Sequence, residues 1–134
     1  WFTIMNGEQS SNTVPSGVQG ICPDGWHIPS QAEWSILIDL LGSSAGGEMK
    51  EAGYSHWQEP NTGATNSSGF TALPGGLRHH DGNFVKLTLH CYFWSSTQET
   101  NTKGWGRLIY YNQDNAGPHN AYKEAGFSVR CLKD

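Results

Sequence analysis

The residues best suited to chemistry are few and scattered along this chain. His79-His80-Asp81 with His90 supplies imidazoles and a carboxylate, the side chains that bind metals. Neighbouring histidines in a strand point to opposite faces and do not grip one ion together. A solvated turn before Asp81-Gly82 is therefore the expectation, and no metal or cofactor is read from the sequence. His27, between Trp26 and Pro29, is expected to be structural. Cys22, Cys91 and Cys131 form no Cys-x-x-Cys, which removes zinc knuckles and thioredoxin-type chemistry. There is no nucleophile elbow, phosphate loop or His-Glu metal motif. With no nucleophile or acid–base pair to name, the expectation is a protein that is not an enzyme.

What remains is binding chemistry, concentrated in the last third of the chain. Three segments alternate with the period of a strand: 92–97, 105–112 and 126–131. In the middle one, Trp105, Arg107, Ile109 and Tyr111 share one face and suit packing under a sheet, with Trp105 expected in the core. Gly106, Leu108, Tyr110 and Asn112 share the other, and differ too much in size and polarity to have one packing requirement. The following segment, Gln113 to Ala125, is polar, small and aromatic by turns. A rigid sheet carrying such a surface suits a binding module.

Positioning such a sheet takes one domain, and 134 residues are enough for a core. A net charge of −4, with eight scattered Lys and Arg, excludes a nucleic-acid footprint. Only 15% of residues are charged, against about 25% in typical chains, and Gly, Ser, Asn, Thr and Trp are abundant. That balance favours an extracellular or cell-envelope protein. No apolar run of membrane-spanning length occurs, so no direct membrane insertion is expected. The opening Trp1-Phe2-Thr3-Ile4-Met5 reads as the middle of something longer. A disulfide between Cys22 and Cys131 would tie the chain's start to its end, worth about 4–5 kcal/mol for so long a loop. The alternative is two buried thiols lying close; the disulfide is the favoured expectation. Cys91 reads as a small buried hydrophobe.

Residues 6–20 read as a long surface loop. Ser30-Gln31-Ala32-Glu33 is a capping box. Trp34, Leu37, Ile38 and Leu41 follow as one apolar helical stripe, closed by Gly42. A shorter helix is predicted over Glu48–Ala52, ended by Gly53. Residues 54–76 are irregular, with Phe70 and Leu73 as core anchors, and Phe84–Leu89 reads as a strand after the Asp81-Gly82 turn. The class is α+β.

Several collinear segments resemble the Fibrobacter succinogenes major paralogous domain, a bacterial family of secreted and lipid-anchored envelope proteins. They are Pro15 through Ser30 with Glu33-Trp34, Asn61 through Asn66, Gly69 through Gly76, Phe93 through Thr97, and Gly126 through Cys131. The resemblance implies a C-type-lectin-like fold, with two helices packed on twisted antiparallel strands and extensive irregular loops. In that fold the terminal segments meet, in agreement with a Cys22–Cys131 link. It also implies kinship with the variable proteins of diversity-generating retroelements. Their targets carry a Trp-x-Arg-x-Leu-x-Tyr frame, a scrambled segment, then Gly-Phe-Ser-Val-Arg-Cys. Trp105-x-Arg107-x-Ile109-x-Tyr111 and Gly126–Cys131 match that frame, although Ile109 replaces Leu and Pro118 stands where Arg is commoner. The filler positions, and so the expected ligand-binding residues, are Gly106, Leu108, Tyr110, Asn112, Gly117, His119, Asn120, Ala121, Tyr122 and Glu124, with Ala125 at the end.

Three further matches are weighed against that frame. Glu59-Pro60-Asn61 is the tripeptide by which C-type lectins hold calcium and mannose-type sugars, but the Trp-Asn-Asp those lectins also need is missing. A proline turn is the expectation. Pro29 through Trp34 is similar to the helix start of formylglycine-generating enzymes, whose copper-binding cysteine pair has no counterpart here. Asn66-Ser67-Ser68 is formally a glycosylation sequon, without meaning in a bacterium lacking the pathway. The expected function is non-catalytic binding of a surface protein or glycan by a monomeric domain of a bacterial or phage-associated surface protein. The alternatives are a fixed carbohydrate-binding module and a structural module of a larger envelope protein.

Overall fold

The longest helix, α2 (Gln31–Leu41), begins where the capping box predicts. The structure, a computed structural model, describes residues 1–134. Glu33 N–H donates to Ser30 Oγ at 3.1 Å, and Ser30 N–H donates to the Glu33 carboxylate at 2.9 Å. Gly42, at φ 75°, closes the helix. Trp34 is buried, with Leu37, Ile38 and Leu41 partly buried around it, so the stripe faces the core.

The second helix lies earlier than predicted. A 3₁₀ turn at Gly42–Ser44 leads into α3 (Ala45–Met49), and Lys50 is already extended, bridged to Ala72. Gly46 and Gly47 read locally as breakers. Here they permit close approach, since a Cβ would lie 2.1 Å from Asn115 O and 2.3 Å from Gly63 O respectively. A short α1 (Phe2–Met5) opens the chain.

The central sheet is antiparallel in the order β4 (His90–Gln98), β5 (Lys103–Tyr110), β6 (Ala116–Tyr122). Two predicted strands are present, while β6 falls inside the segment read as display surface. The third, 126–131, is not a strand. It lies against β4 through an isolated bridge from Ser128 to Phe93, and reaches outside the central sheet through one from Gly126 to Arg78. Beyond it, β7 (Leu132–Lys133) pairs with β1 (Trp26–His27). The predicted strand at Phe84–Leu89 shortens to β3 (Phe84–Val85), paired with β2 (Leu77–Arg78). Lys86 and Thr88 take positive φ, which ends the alternation and leaves Phe84 and Leu87 exposed.

The sheet is covered on both faces. Under α2, Trp34, Met49, Trp57, Cys91, Phe93 and Ile109 form one cluster; Trp1, Met5, Cys22, Ile28 and Trp94 form the other. Phe70 packs on Trp34 and Phe93, as an anchor should, whereas Leu73 is 44% exposed and anchors nothing. Trp105 is only half-buried and belongs to neither cluster, correcting its expected core place. Arg107 is buried beneath α2, donating to Ser35 Oγ at 2.7 Å. Cys22 and Cys131 form a disulfide across 109 positions, and Cys91 is a buried free thiol. No helix is long and apolar enough to cross a membrane. The architecture is thus mixed α and β, with one long helix and small antiparallel sheets.

Candidate ligand-binding face

The sheet face away from α2 is built by alternate residues of three strands. Tyr92 stands opposite Leu108, and Leu108 opposite Gly117; one pair along, Trp94, Gly106 and His119 form the next row. The Tyr92 ring nevertheless lies 5.4 Å from that of His119, two strands away, so it leans across β5. Phe127, carried by the 126–131 segment, stacks on Trp94 at 4.0 Å and reaches Tyr92 at 4.9 Å and His119 at 6.0 Å. His90 continues the row, its Nδ1 2.9 Å from the Tyr92 hydroxyl and its ring 4.8 Å from Tyr110.

These rings form a roof, which corrects the expected outward set. Leu108 is 4% exposed, and Gly106 is buried. A Cβ on Gly106 would fall 2.2 Å from Phe93 O, so the position admits no side chain without backbone movement. Ala125 is also buried, and Ala121 packs against the cluster of Trp94. Asn120 pairs with Trp105 on the other face and donates to Glu99 at 2.8 Å. Asn112 and Glu124 are exposed in the turns that bracket β6. Tyr122 is half-exposed and meets His80 at 5.3 Å, apart from the main cluster.

The face therefore unites Tyr110, Gly117 and His119 with His90, Tyr92 and Phe127. Around Gly117 a Cβ would meet nothing within 4 Å, leaving an open step beside the rings. His90 and Tyr92 were missed as face residues, although His90, Tyr92 and Trp94 share one strand parity; the predicted strand started too late to include His90. Burial lowers the pKa of His119. Burial, with the charges of Lys86 and His119, lowers that of His90. Burial, helped by Tyr110, pushes Tyr92 up to about 12. At neutral pH this face is aromatic, hydrogen-bonding and uncharged.

The other candidates are held in structural roles. His27 donates through Nε2 to Glu33 Oε1 at 2.8 Å and through Nδ1 to Asp134 Oδ1 at 2.6 Å. Glu33 Oε2 accepts from Ser16 and Ser30 N–H. Asn61, in the Glu59-Pro60-Asn61 turn, is buried and donates to Glu51 O and Gly53 O. The His79 ring lies 4.0 Å from that of His80, tilted by 47°, and contacts Asp81 at 3.2 Å, and nowhere do three His, Cys, Asp or Glu side chains gather as metal ligands.

The match to known families spans residues 1–133 and is to the Fibrobacter succinogenes major domain; the chain belongs to that family. No curated protein and no solved structure matches it.

Proposed function

We propose that this chain is a non-catalytic ligand-binding domain of C-type-lectin-like fold, part of a bacterial or phage-associated surface protein. The observation that carries the reading is the uncharged row of His90, Tyr110 and His119, packed around the buried Tyr92 beside the open step at Gly117. Tyr and His give large amphipathic contact area with few rotors, which suits a recognition surface. The Cys22–Cys131 disulfide supports an extracellular or envelope location, where such bonds persist.

The ligand is a surface protein or a glycan, and the face is diversified through a retroelement. Its variable positions are Tyr110, Asn112, Gly117, His119 and Tyr122. Gly106 and Leu108 belong to the floor, where change would disturb packing.

The test is a panel of purified bacterial surface proteins and a glycan array, probed with the protein and with a Tyr110→Ala/His119→Ala variant. Both side chains lie at the surface of the sheet rather than in either core cluster, so the variant should fold. Loss of at least tenfold in binding to every ligand found would support the reading. Undiminished binding by the variant would overturn it.

A further inference from the structure

Lys50 is fully buried, and no carboxylate pairs with it. Its ammonium instead donates to three main-chain carbonyls: Thr62 O at 2.7 Å, Gln113 O at 2.9 Å and Tyr110 O at 3.1 Å. An ammonium has three N–H donors and no acceptor, so donors and acceptors match in number. The carbonyls come from the long loop, the last residue of β5 and the turn into β6. Calcium takes six to eight oxygens at about 2.3–2.6 Å, with carboxylates among them. Three neutral oxygens at hydrogen-bond lengths fit an ammonium.

The same junction is fastened from other sides. Thr62 N–H donates to Tyr111 O and Gly47 N–H to Asp114 O, both at 2.8 Å. Burial lowers the Lys50 pKa to about 8, with Asp114 opposing, so the group carries its charge at neutral pH.

We infer that Lys50 is a tethered cation for a carbonyl cage that accepts a primary ammonium, and that it latches the 110–114 turn to the long loop. Tyr110 ends β5 at this latch, so Lys50 is a positioning residue for the edge of the binding face. That consequence rests on the function proposed above; the latch itself does not.

The experiment needs no ligand for the face. Lys50→Ala removes the side chain beyond Cβ, which leaves room for n-propylammonium. Amide exchange at Gly47, Thr62 and Tyr111, whose N–H groups donate to Asp114 O, Tyr111 O and Leu89 O, is expected to accelerate by about 10- to 100-fold, the range for lost bonds to a charged donor. Propylammonium chloride should restore protection and raise the Tm. Tetramethylammonium, potassium and calcium chlorides at equal ionic strength should not. Rescue by calcium would make the cage a metal site and overturn the inference, as would unchanged protection in Lys50→Met, which keeps the bulk and loses the charge. Should neither variant fold, the wild-type Lys50 Nζ resonance decides. Slowly exchanging protons coupled to the three carbonyls are expected; rapid exchange with water would refute the latch. Either result is independent of whether the face binds anything.

Discussion

Tyr92 and His119 stand on strands separated by β5, yet their rings lie 5.4 Å apart, edge to face. Tyr92 therefore roofs Leu108, its register partner. The alternation of β5 is intact, but an outward residue on this sheet is not an exposed one. With Tyr92 itself buried, what a ligand meets is His90, Tyr110, His119 and Phe127 around it, with the gap at Gly117.

Replacing Tyr92 separates the roof from its hydrogen bond. Tyr92→Ala removes a ring that is 6% exposed and should cost about 3–5 kcal/mol, the range for deleting buried aromatics. Tyr92→Phe keeps the ring and loses the contact with His90, at about 0.5–1.5 kcal/mol. Urea denaturation measures both. Equal costs for the two variants would mean that the ring supports nothing beneath it.

Gly106 and Gly117 lie on the same face, one row apart, and should respond in opposite ways. Gly106→Ala drives a methyl against Phe93 O and should destabilise by about 1–3 kcal/mol. Gly117 has open space and no positive φ, so Gly117→Ala should be neutral or stabilise by about 0.4–1 kcal/mol through the unfolded chain. Sequencing codons 92–134 across the source population should correspondingly find change at 117 and none at 106. Frequent substitution at 106 would contradict the geometry.

How far these features were legible depends on whether their signals are local. Helix α2 was readable because its cap, stripe and closing glycine sit within one short segment. Strand β6 was not, since Gly117, Pro118 and Asn120 all disfavour strands. It exists because β5 supplies a template, and Pro118 is tolerated because β6 is an edge. Helix α3 was misplaced because Gly46 and Gly47 answer to Asn115 and Gly63, far along the chain. The parity of Gly106, Leu108 and Tyr110 was right. The burial of Gly106 and Leu108 is decided by Phe127 and Tyr92, which no window around β5 contains.

The Cys22–Cys131 disulfide closes nearly the whole chain and holds β1 against β7 at its base. Replacing both cysteines by alanine should cost about 2–5 kcal/mol, mainly through the freer unfolded chain. Guanidinium denaturation of the double variant checks this. A midpoint equal to that of the wild type would show that the Trp26–His27 pairing with Leu132–Lys133 holds without the link.

His27 makes the same corner sensitive to pH. Carboxylate oxygens accept at both ring nitrogens, so the ring must carry two protons to satisfy Glu33 and Asp134 together. Burial opposes the charge, but the hydrogen bonds and charges of Asp134 and Glu33 outweigh it and raise the pKa above 6.5. Because the folded pKa is the higher one, the contribution is complete below pH 6.5 and is lost as pH rises through the folded value. Above that value one nitrogen lone pair faces a carboxylate oxygen at hydrogen-bond distance. The stability difference between the wild type and His27→Gln should thus be constant below pH 6.5 and shrink above it. Taking the difference removes the titration of groups that do not touch residue 27; Glu33 and Asp134 do, so the comparison runs from about pH 5.5 upward, above the ordinary carboxylate range. Amide exchange at residues 26, 27, 132 and 133 should speed up over the same interval in the wild type. A difference that stays flat to pH 9, or grows with pH, would mean that His27 sits between the carboxylates without its second proton.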